Sequence, residues 1–189
     1  MVTIVSGLPR SGTSMMMRML AAGGMPLLTD DVRAADPDNP HGYFEYEPVK
    51  NTATDPSWLD RAEGKAVKMV YKLLYDLPPD RRYRVVFTQR ALKEVVASQN
   101  AMLGRLGRAN EAARFDVRSL VGTFAAEVAA IRSWLTAQPA FAVHFVNYNA
   151  LLAEPAPAVA ALVAFLGGGL DTVAMLAAID PALYRQRSD

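Results

Sequence analysis

The sequence contains no cysteine. This absence excludes a disulfide framework, a thiolate metal site and a cysteine nucleophile. The chain also lacks an excess of one charge, because 20 Lys and Arg residues are balanced by 19 Asp and Glu residues and the net charge is +1. Such a balance gives no reason to expect bulk electrostatic binding to nucleic acid or to an anionic membrane.

Long apolar runs are missing as well. The stretch MMMRMLAAGGMPLL is interrupted by Arg18, a glycine pair and Pro26, whereas a membrane span needs roughly 20 successive apolar residues. The first residues, MVTIVSG, show neither the basic region nor the cleavage site of a signal peptide. We therefore expect a cytoplasmic protein without membrane or nucleic acid partners, and the sequence leaves the oligomeric state open.

What the sequence does contain is an alternation of two patterns. Short β-branched segments predict strands at VTIVSG, KAVKMVY, RYRVVFT and FAVHFVNY, and between or after them lie segments with helical spacing, such as VRSLVGTFAAEVAAIRSWL. This order predicts an α/β fold, a three-layer sandwich with a mainly parallel central sheet, over residues 1–189 as a single domain. In such sheets a ligand binds beyond the carboxyl ends of the strands.

The first predicted strand runs into a glycine loop, VSGLPRSGTSMMM, in which Gly7 and Gly12 have the spacing of a phosphate-binding P-loop. Such a loop turns backbone N–H groups toward one anion at a helix N-terminus. Enzymes that use ATP or GTP add a lysine after the second glycine and a strand-end aspartate for magnesium. Here Thr13 takes the position of the lysine, and the strands end without a carboxylate. The spacing alone also arises by chance, but its context favours a site for one tetrahedral anion without a metal.

A second candidate anion site is the segment RALKEVVAS. Arg90 ends a predicted strand, and Ser98 lies eight residues later in the following helix. Taken alone, the pair is more typical of a surface arginine and a solvated helical serine than of an anion site.

Four segments in order resemble the sulfotransferases that use 3′-phosphoadenosine-5′-phosphosulfate (PAPS): LPRSGTS, NPHGYFE, RALKEVVAS and YNALLAEPAPAVAALVAFLG. The first is similar to the family's 5′-phosphosulfate loop, and the third to its 3′-phosphate motif. The resemblance implies a P-loop NTPase-like fold, PAPS as sulfuryl donor, 3′-phosphoadenosine-5′-phosphate (PAP) as product, and no metal. It implies a cradle for the 5′ end, formed by Arg10, Ser11, Gly12, Thr13 and Ser14. It also implies a clamp for the 3′-phosphate, formed by Arg90 and Ser98.

The chain also departs from the family pattern. Arg10 stands where the larger animal cytosolic members usually have lysine. Those members carry a late Arg-Lys-Gly element over the 3′-phosphate, and this sequence offers only Arg185 and Arg187 in that region.

Sulfuryl transfer needs a base for the acceptor and positive charge for the leaving group. The resemblance implies a histidine or glutamate base, for which Glu45 is the first candidate and His41 the second; the alternative is that both are solvated loop residues. Lys68 is the candidate for the leaving group, with Lys72 as the rival. The other histidine, His144, is expected to pack within a strand.

These observations favour a sulfotransferase that acts on a hydroxyl or amine of a small acceptor. Two alternatives stay open at this point. A P-loop kinase or NTP-binding protein would bind ATP or GTP with magnesium, and a non-catalytic nucleotide-binding module would bind nucleotide without turnover.

Overall fold

A parallel sheet of four strands forms the centre of the fold in the computed structural model, which describes residues 1–30, 32–112 and 116–187. The strands are β1 (Val2–Gly7), β2 (Ala66–Val70), β3 (Tyr83–Gln89) and β4 (Phe141–Asn147). Their order is β2-β1-β3-β4, and every pair is parallel. All six residues of β1 are buried, as expected for a β-branched strand inside a parallel sheet.

Seven helices surround the sheet in the described part of the chain: α1 (Thr13–Ala22), α2 (Leu92–Arg105), α3 (Ala109–Ala112), α4 (Val117–Ala137), α5 (Tyr148–Ala153), α6 (Pro155–Leu166) and α7 (Thr172–Ala177). Short 3₁₀ helices occupy Glu47–Asn51, Ser57–Asp60, Tyr71–Asp76 and Pro181–Leu183. Local sequence sets several ends. The Asp116 side chain accepts a hydrogen bond from the Ser119 N–H and caps α4, and α6 ends at Gly167 with φ 97°.

The two faces of the sheet are covered by different helices. Ile4 and Phe87 belong to one hydrophobic cluster together with Ile131 of α4. The neighbouring strand residues point the opposite way, so that Val5 and Val86 pack with α1, α6 and α7. The predicted three-layer α/β sandwich is therefore confirmed.

The register of the sheet places the ends of its strands together. Gly7 pairs with both Val70 and Thr88, and Thr88 pairs with Val146. The segments that follow the four strands therefore leave the sheet at one edge. This is the edge where the glycine loop and Arg90 were expected to meet.

One further expectation concerns His144. His144 lies in β4 and stacks on Phe165 with ring centroids 5.2 Å apart, and burial lowers its pKa. The region from Pro26 to Pro56 is mostly irregular and is tied to the sheet by a hydrogen bond from the Leu28 N–H to the Ala66 carbonyl of 2.8 Å. Among the described residues, no helix has both the length and the apolar character needed to cross a membrane.

Candidate active site

A cavity of about 430 Å³ opens at the carboxyl edge of the sheet. Its walls come from the β1–α1 loop, the segment before residue 50, the end of β2, the inner face of α2 and residues 183–186. Most of the predicted site residues line it: Arg10, Gly12, Thr13, Ser14, His41, Glu45, Lys68, Arg90 and Ser98.

The glycine loop takes a positive φ at Arg10 and at Gly12. Gly12 has φ 99°, and a Cβ there would come within 2.7 Å of Cε2 of Tyr148. Arg10 has φ 73°, which is unusual for a residue with a side chain and costs of order 1 kcal/mol or more. The free N–H groups of the first turn of α1 follow directly, so this loop presents main-chain donors at the positive end of a helix dipole.

Ser11 is placed differently from its neighbours in the loop. Its side chain is buried away from the cavity, and its hydroxyl lies 2.8 Å from Oγ1 of Thr88. Because Thr88 donates its own proton to the Ser6 carbonyl at 3.2 Å, Ser11 is the donor in this contact. The Ser11 hydroxyl therefore fixes the loop to the end of β3.

Arg10 connects the two predicted anion sites. Its Nε donates to Oγ of Ser98 at 3.0 Å, although the two residues are 88 positions apart. Burial lowers the pKa of the Arg10 guanidinium, and the nearby Arg105 and Arg90 lower it further, while Tyr43 opposes them. The loop and the α2 motif thus form one cationic surface.

Arg90 is deeply buried beside a carboxylate. Its side chain is 6% exposed, and its Nε donates at 2.8 Å to Glu94, which is 2% exposed. Its two terminal nitrogens donate to the carbonyls of Arg10 at 3.3 Å and Gln186 at 2.6 Å. The guanidinium also lies about 5 Å from the ring centroids of Tyr148 and Tyr184. These contacts hold its planar fork in a fixed direction.

Lys68 reaches the cavity from β2, the edge strand beside β1. Its Nζ donates to the Tyr43 carbonyl and to Oγ of Ser14, the latter at 3.4 Å. Glu45 Oε1 lies 3.5 Å from the same nitrogen. Burial lowers the pKa of Lys68 to about 8, and the Glu45 charge opposes this shift.

Glu45 shares its carboxylate between two cations. Oε1 lies 3.1 Å from Nη1 of Arg33 and 3.5 Å from Nζ of Lys68. The preceding residue, Phe44, has φ 52°, which is strained for an aromatic residue. Local strain of this kind is typical of functional loops, and here it directs Glu45 toward the cavity.

The rival residues lie farther out. His41 is at the rim, with Nε2 3.4 Å from Oδ2 of Asp180, and it is about half exposed. Lys72 follows β2, is 64% exposed and pairs with Glu127 at 3.1 Å. Lys72 is absent from the cavity wall, so the geometry brings only Lys68 beside the loop.

Several polar residues of the site escaped the sequence analysis. Asn39 donates to Oγ of Ser14 at 2.9 Å and to the Gly42 carbonyl at 2.6 Å. Glu94 holds Arg90, and the i, i+4 spacing within RALKE would have signalled this pair. No local pattern would have revealed Asn39, because its contact depends on how the long loop folds over α1.

One wall of the cavity is apolar. It lies beyond Lys68 and Glu45, around the end of β2, and is formed by Tyr46, Val49, Met69, Val70 and Leu73. Val70 is exposed there although it is a large hydrophobic residue. Tyr43 and Tyr46 are both buried, and both line the cavity.

Comparison with known proteins agrees with this geometry. A family model described as "Sulfotransferase domain" matches residues 2–180. The sulfotransferase domain of the curacin biosynthetic pathway has a similar fold, with a TM-score of 0.55 at 14% identity over 95% of this chain and 77% of that one. The sulfotransferase domain of the Synechococcus PCC 7002 olefin synthase gives 0.56 at 16% identity, over 100% and 80%.

A sulfotransferase from Alicyclobacillus acidocaldarius gives a TM-score of 0.51 at 18% identity, over 96% of this chain and 87% of that one. At these identities the likeness shows the fold. Among curated proteins, no relative matches the chain. The family match covers almost the whole chain, and its chemistry agrees with a P-loop that lacks the kinase lysine. The chain therefore belongs to the sulfotransferase domain family and is a transferase that moves a sulfuryl group.

Proposed function

We propose that the protein transfers, in the cytoplasm, the sulfuryl group of PAPS to a hydroxyl or amine of a small acceptor. The observation that carries this proposal is the hydrogen bond between Arg10 of the glycine loop and Ser98 of α2, at 3.0 Å. It brings the predicted 5′ cradle and the predicted 3′ clamp to one cavity, and a donor with two separate anionic groups fits such a pair.

The residues present suit such a donor. Gly12 lets the loop backbone pass against the Tyr148 ring, and the first turn of α1 supplies N–H groups for the 5′ end. Thr13 and Ser14 add hydroxyls on the cavity wall. Arg10 and Arg90 supply positive charge for the 3′-phosphate, and Ser98 adds a hydroxyl. Guanidinium groups bind phosphate oxygens in pairs. Ser11 supports the loop through Thr88.

PAPS supplies a sulfuryl group that is already joined to a good leaving group, the 5′-phosphate of PAP. Lys68 is our choice for stabilising the negative charge that develops on that phosphate. Its Nζ lies 3.4 Å from Oγ of Ser14 in the first turn of α1. Below a pH of about 8 the ammonium is charged, because its pKa is about 8. A preorganised cation of this kind contributes about 2 to 4 kcal/mol to a transition state.

Glu45 is our choice of base. The carboxylate lies in the cavity beside Lys68, at the border between the polar wall and the apolar wall. An acceptor whose body rests on Val70 and Leu73 would direct its hydroxyl or amine toward this carboxylate, which would take the proton as the oxygen or nitrogen attacks. His41 is the second choice, since its ring lies at the rim beside Asp180.

A binding experiment tests the proposed donor. Isothermal titration of the protein with PAP should give saturable binding, and ATP with magnesium should bind at least about tenfold more weakly, since Thr13 replaces the lysine that ATP enzymes use. Arg90→Ala should raise the Kd for PAP about tenfold or more. Arg132→Ala is the matched control, because this exposed arginine binds Gln89 outside the cavity. Absence of PAP binding at millimolar concentration would refute the proposal.

A second experiment tests the base. PAP release from PAPS is measured with a panel of phenols, alcohols and amines for the wild type, Glu45→Gln and His41→Ala. We expect Glu45→Gln to lower kcat about 10²-fold or more and His41→Ala to change it much less. If both variants keep the wild-type rate, neither residue is the base.

A further inference from the structure

Arg105 extends the cationic surface along α2. Ser98, Ala101, Met102 and Arg105 all line the cavity. Their spacing of three, four and seven residues places them on one face of the helix. Arg105 therefore lies on the same face of α2 as Ser98, two helical turns further along, and Ser98 contacts Arg10.

Asp38 occupies the space between two of these cations. Its carboxylate contacts the Arg105 guanidinium directly, and its Oδ1 lies 4.0 Å from Nη2 of Arg10. The Asp38 side chain is 7% exposed, so the carboxylate is enclosed by the cavity wall. Arg105 and Arg90 are close enough to lower the pKa of Arg10 in addition to the effect of burial. The Asp38 carboxylate thus lies between two guanidinium groups, those of Arg10 and Arg105.

The loop around Asp38 is held in place from both sides. Asp36 Oδ1 accepts the Asp38 N–H at 2.8 Å, and Arg185 Nη1 donates to the Pro37 carbonyl at 2.7 Å. Arg10 also donates to the Asp38 carbonyl at 3.4 Å. These contacts hold the Asp38 carboxylate between Arg10 and Arg105. A phosphate bound by both arginines would need its oxygens at the same position.

We propose that Arg105 forms, with Arg10 and Ser98, a subsite for the 3′-phosphate of the sulfuryl donor, and that the Asp38 carboxylate competes with the phosphate for it. The proposal rests on the proposed function. Carboxylate and phosphate oxygens both accept charge-assisted hydrogen bonds from guanidinium groups, and a phosphate carries more charge. Asp38 therefore lowers the affinity for the donor, while its negative charge offsets the repulsion between the clustered arginines.

Two nucleotides that differ only in the 3′-phosphate test this subsite: PAP and adenosine 5′-monophosphate (AMP). For Arg105→Ala we expect the Kd for PAP to rise about tenfold and the Kd for AMP to change less than about twofold. For Asp38→Asn we expect the Kd for PAP to fall about three- to tenfold, because one competing charge is removed, again with little change for AMP. Titration calorimetry at fixed ionic strength gives all of these constants.

Matched controls separate the effect of a residue's position in the cavity from the effect of removing a charge. Arg108 lies three residues beyond Arg105. Arg108→Ala removes an exposed arginine that pairs with its near neighbour Glu111 at 2.6 Å. Asp60→Asn removes an exposed carboxylate that pairs with Arg81 at 2.7 Å. Neither should change the Kd for PAP more than twofold, and thermal unfolding of each variant checks that the fold is intact.

The direction of the Asp38→Asn effect decides between competition and support. If this variant binds PAP more weakly, Asp38 positions Arg10 and the proposal is wrong. An equal effect of Arg105→Ala on PAP and AMP, or no effect on either, also overturns it while leaving the proposed function intact. Failure of the wild type to bind PAP would overturn both.

Discussion

Replacing Lys68 by methionine should stabilise the protein at neutral pH while it removes most of the turnover. The cause lies in the burial of the ammonium, which is 12% exposed. Burial lowers its pKa from 10.5 to about 8, despite the opposing charge of Glu45. A difference of that size corresponds to about 3 kcal/mol of unfavourable free energy for the charged form in the folded state. Methionine has a similar volume and no charge to desolvate.

The expected gain is smaller than this cost. A neutral amine would still donate the hydrogen bonds to Ser14 and to the Tyr43 carbonyl. Methionine makes neither bond, which lowers the free energy of unfolding by about 1 kcal/mol. At pH 7 the free energy of unfolding of Lys68→Met should therefore exceed that of the wild type by about 2 kcal/mol. For a chain of this length the midpoint of thermal unfolding rises by about 4 to 8 °C.

The pH dependence gives the sharper test. Between pH 8 and 10.5 the unfolded chain keeps the Lys68 proton while the folded chain has released it, so the stability of the wild type rises with pH in this window. The advantage of Lys68→Met at pH 7 should disappear as the pH approaches 10. Lys72→Met is the matched control, since Lys72 is 64% exposed and lies outside the cavity.

The assays are denaturant unfolding at pH 7, 8, 9 and 10, and PAP release from PAPS with the acceptor panel. We expect kcat of Lys68→Met to fall about 10²- to 10³-fold, the usual cost of removing a preorganised donor from a transition state. A variant that is less stable than the wild type at pH 7, or an advantage that stays constant to pH 10, would refute the reasoning on burial. Unchanged turnover would refute the role of Lys68 in the reaction.

Three further substitutions test the supports of the site, each by denaturant unfolding. Gly12→Ala should cost about 3 kcal/mol and abolish PAP binding, because a Cβ meets an aromatic ring at φ 99°, whereas Gly24→Ala, at φ 93° in open space, should cost only about 1 kcal/mol. Glu94→Gln should destabilise the fold by about 3 kcal/mol, because it leaves Arg90 buried without a counter-charge; equal stability would contradict this. Thr88→Val should cost about 1 to 3 kcal/mol, because two buried oxygen atoms lose their partner, and full PAP affinity in this variant would contradict its support of the loop.

The fold could be predicted because local signals and long-range packing agree along most of the chain. β1 was predicted at the residues where it lies, since an unbroken run of β-branched residues ends at a glycine. α6 ends at Gly167, which takes a positive φ of 97°. In both cases a strong residue pattern coincides with the place where the chain must turn.

The site could be predicted only as far as it follows the ends of strands. Arg90 and the glycine loop meet because parallel strands end at one edge, which a sequence pattern is sufficient to show. The position of Asp38 between Arg10 and Arg105 has no such signal. It depends on the path of an irregular loop, where hydrogen bonds between distant residues replace the regular repeats of helices and strands.

Ser11 shows a further reason why loop motifs mislead about individual side chains. The loop as a whole has the conformation that an anion cradle needs, and yet the Ser11 hydroxyl points to Thr88. Successive residues of a tight turn point in different directions, so a run of hydroxyls in the sequence cannot all serve one ligand. Gly12, Thr13 and Ser14 line the cavity because they begin α1, where N–H groups and side chains face the same side.

The missing lysine of the P-loop has a counterpart on the neighbouring strand. Where a kinase would carry lysine, this chain has Thr13, and the ammonium instead arrives from β2, with Lys68 beside Ser14. The Lys68 side chain is 12% exposed, and its lowered pKa follows from that burial. If Lys68 stabilises the leaving phosphate, as we propose, a pKa of about 8 keeps most of the ammonium charged at pH 7. The same burial that makes the charge of Lys68 costly to the fold would then strengthen its interaction with the charge that develops on the leaving group.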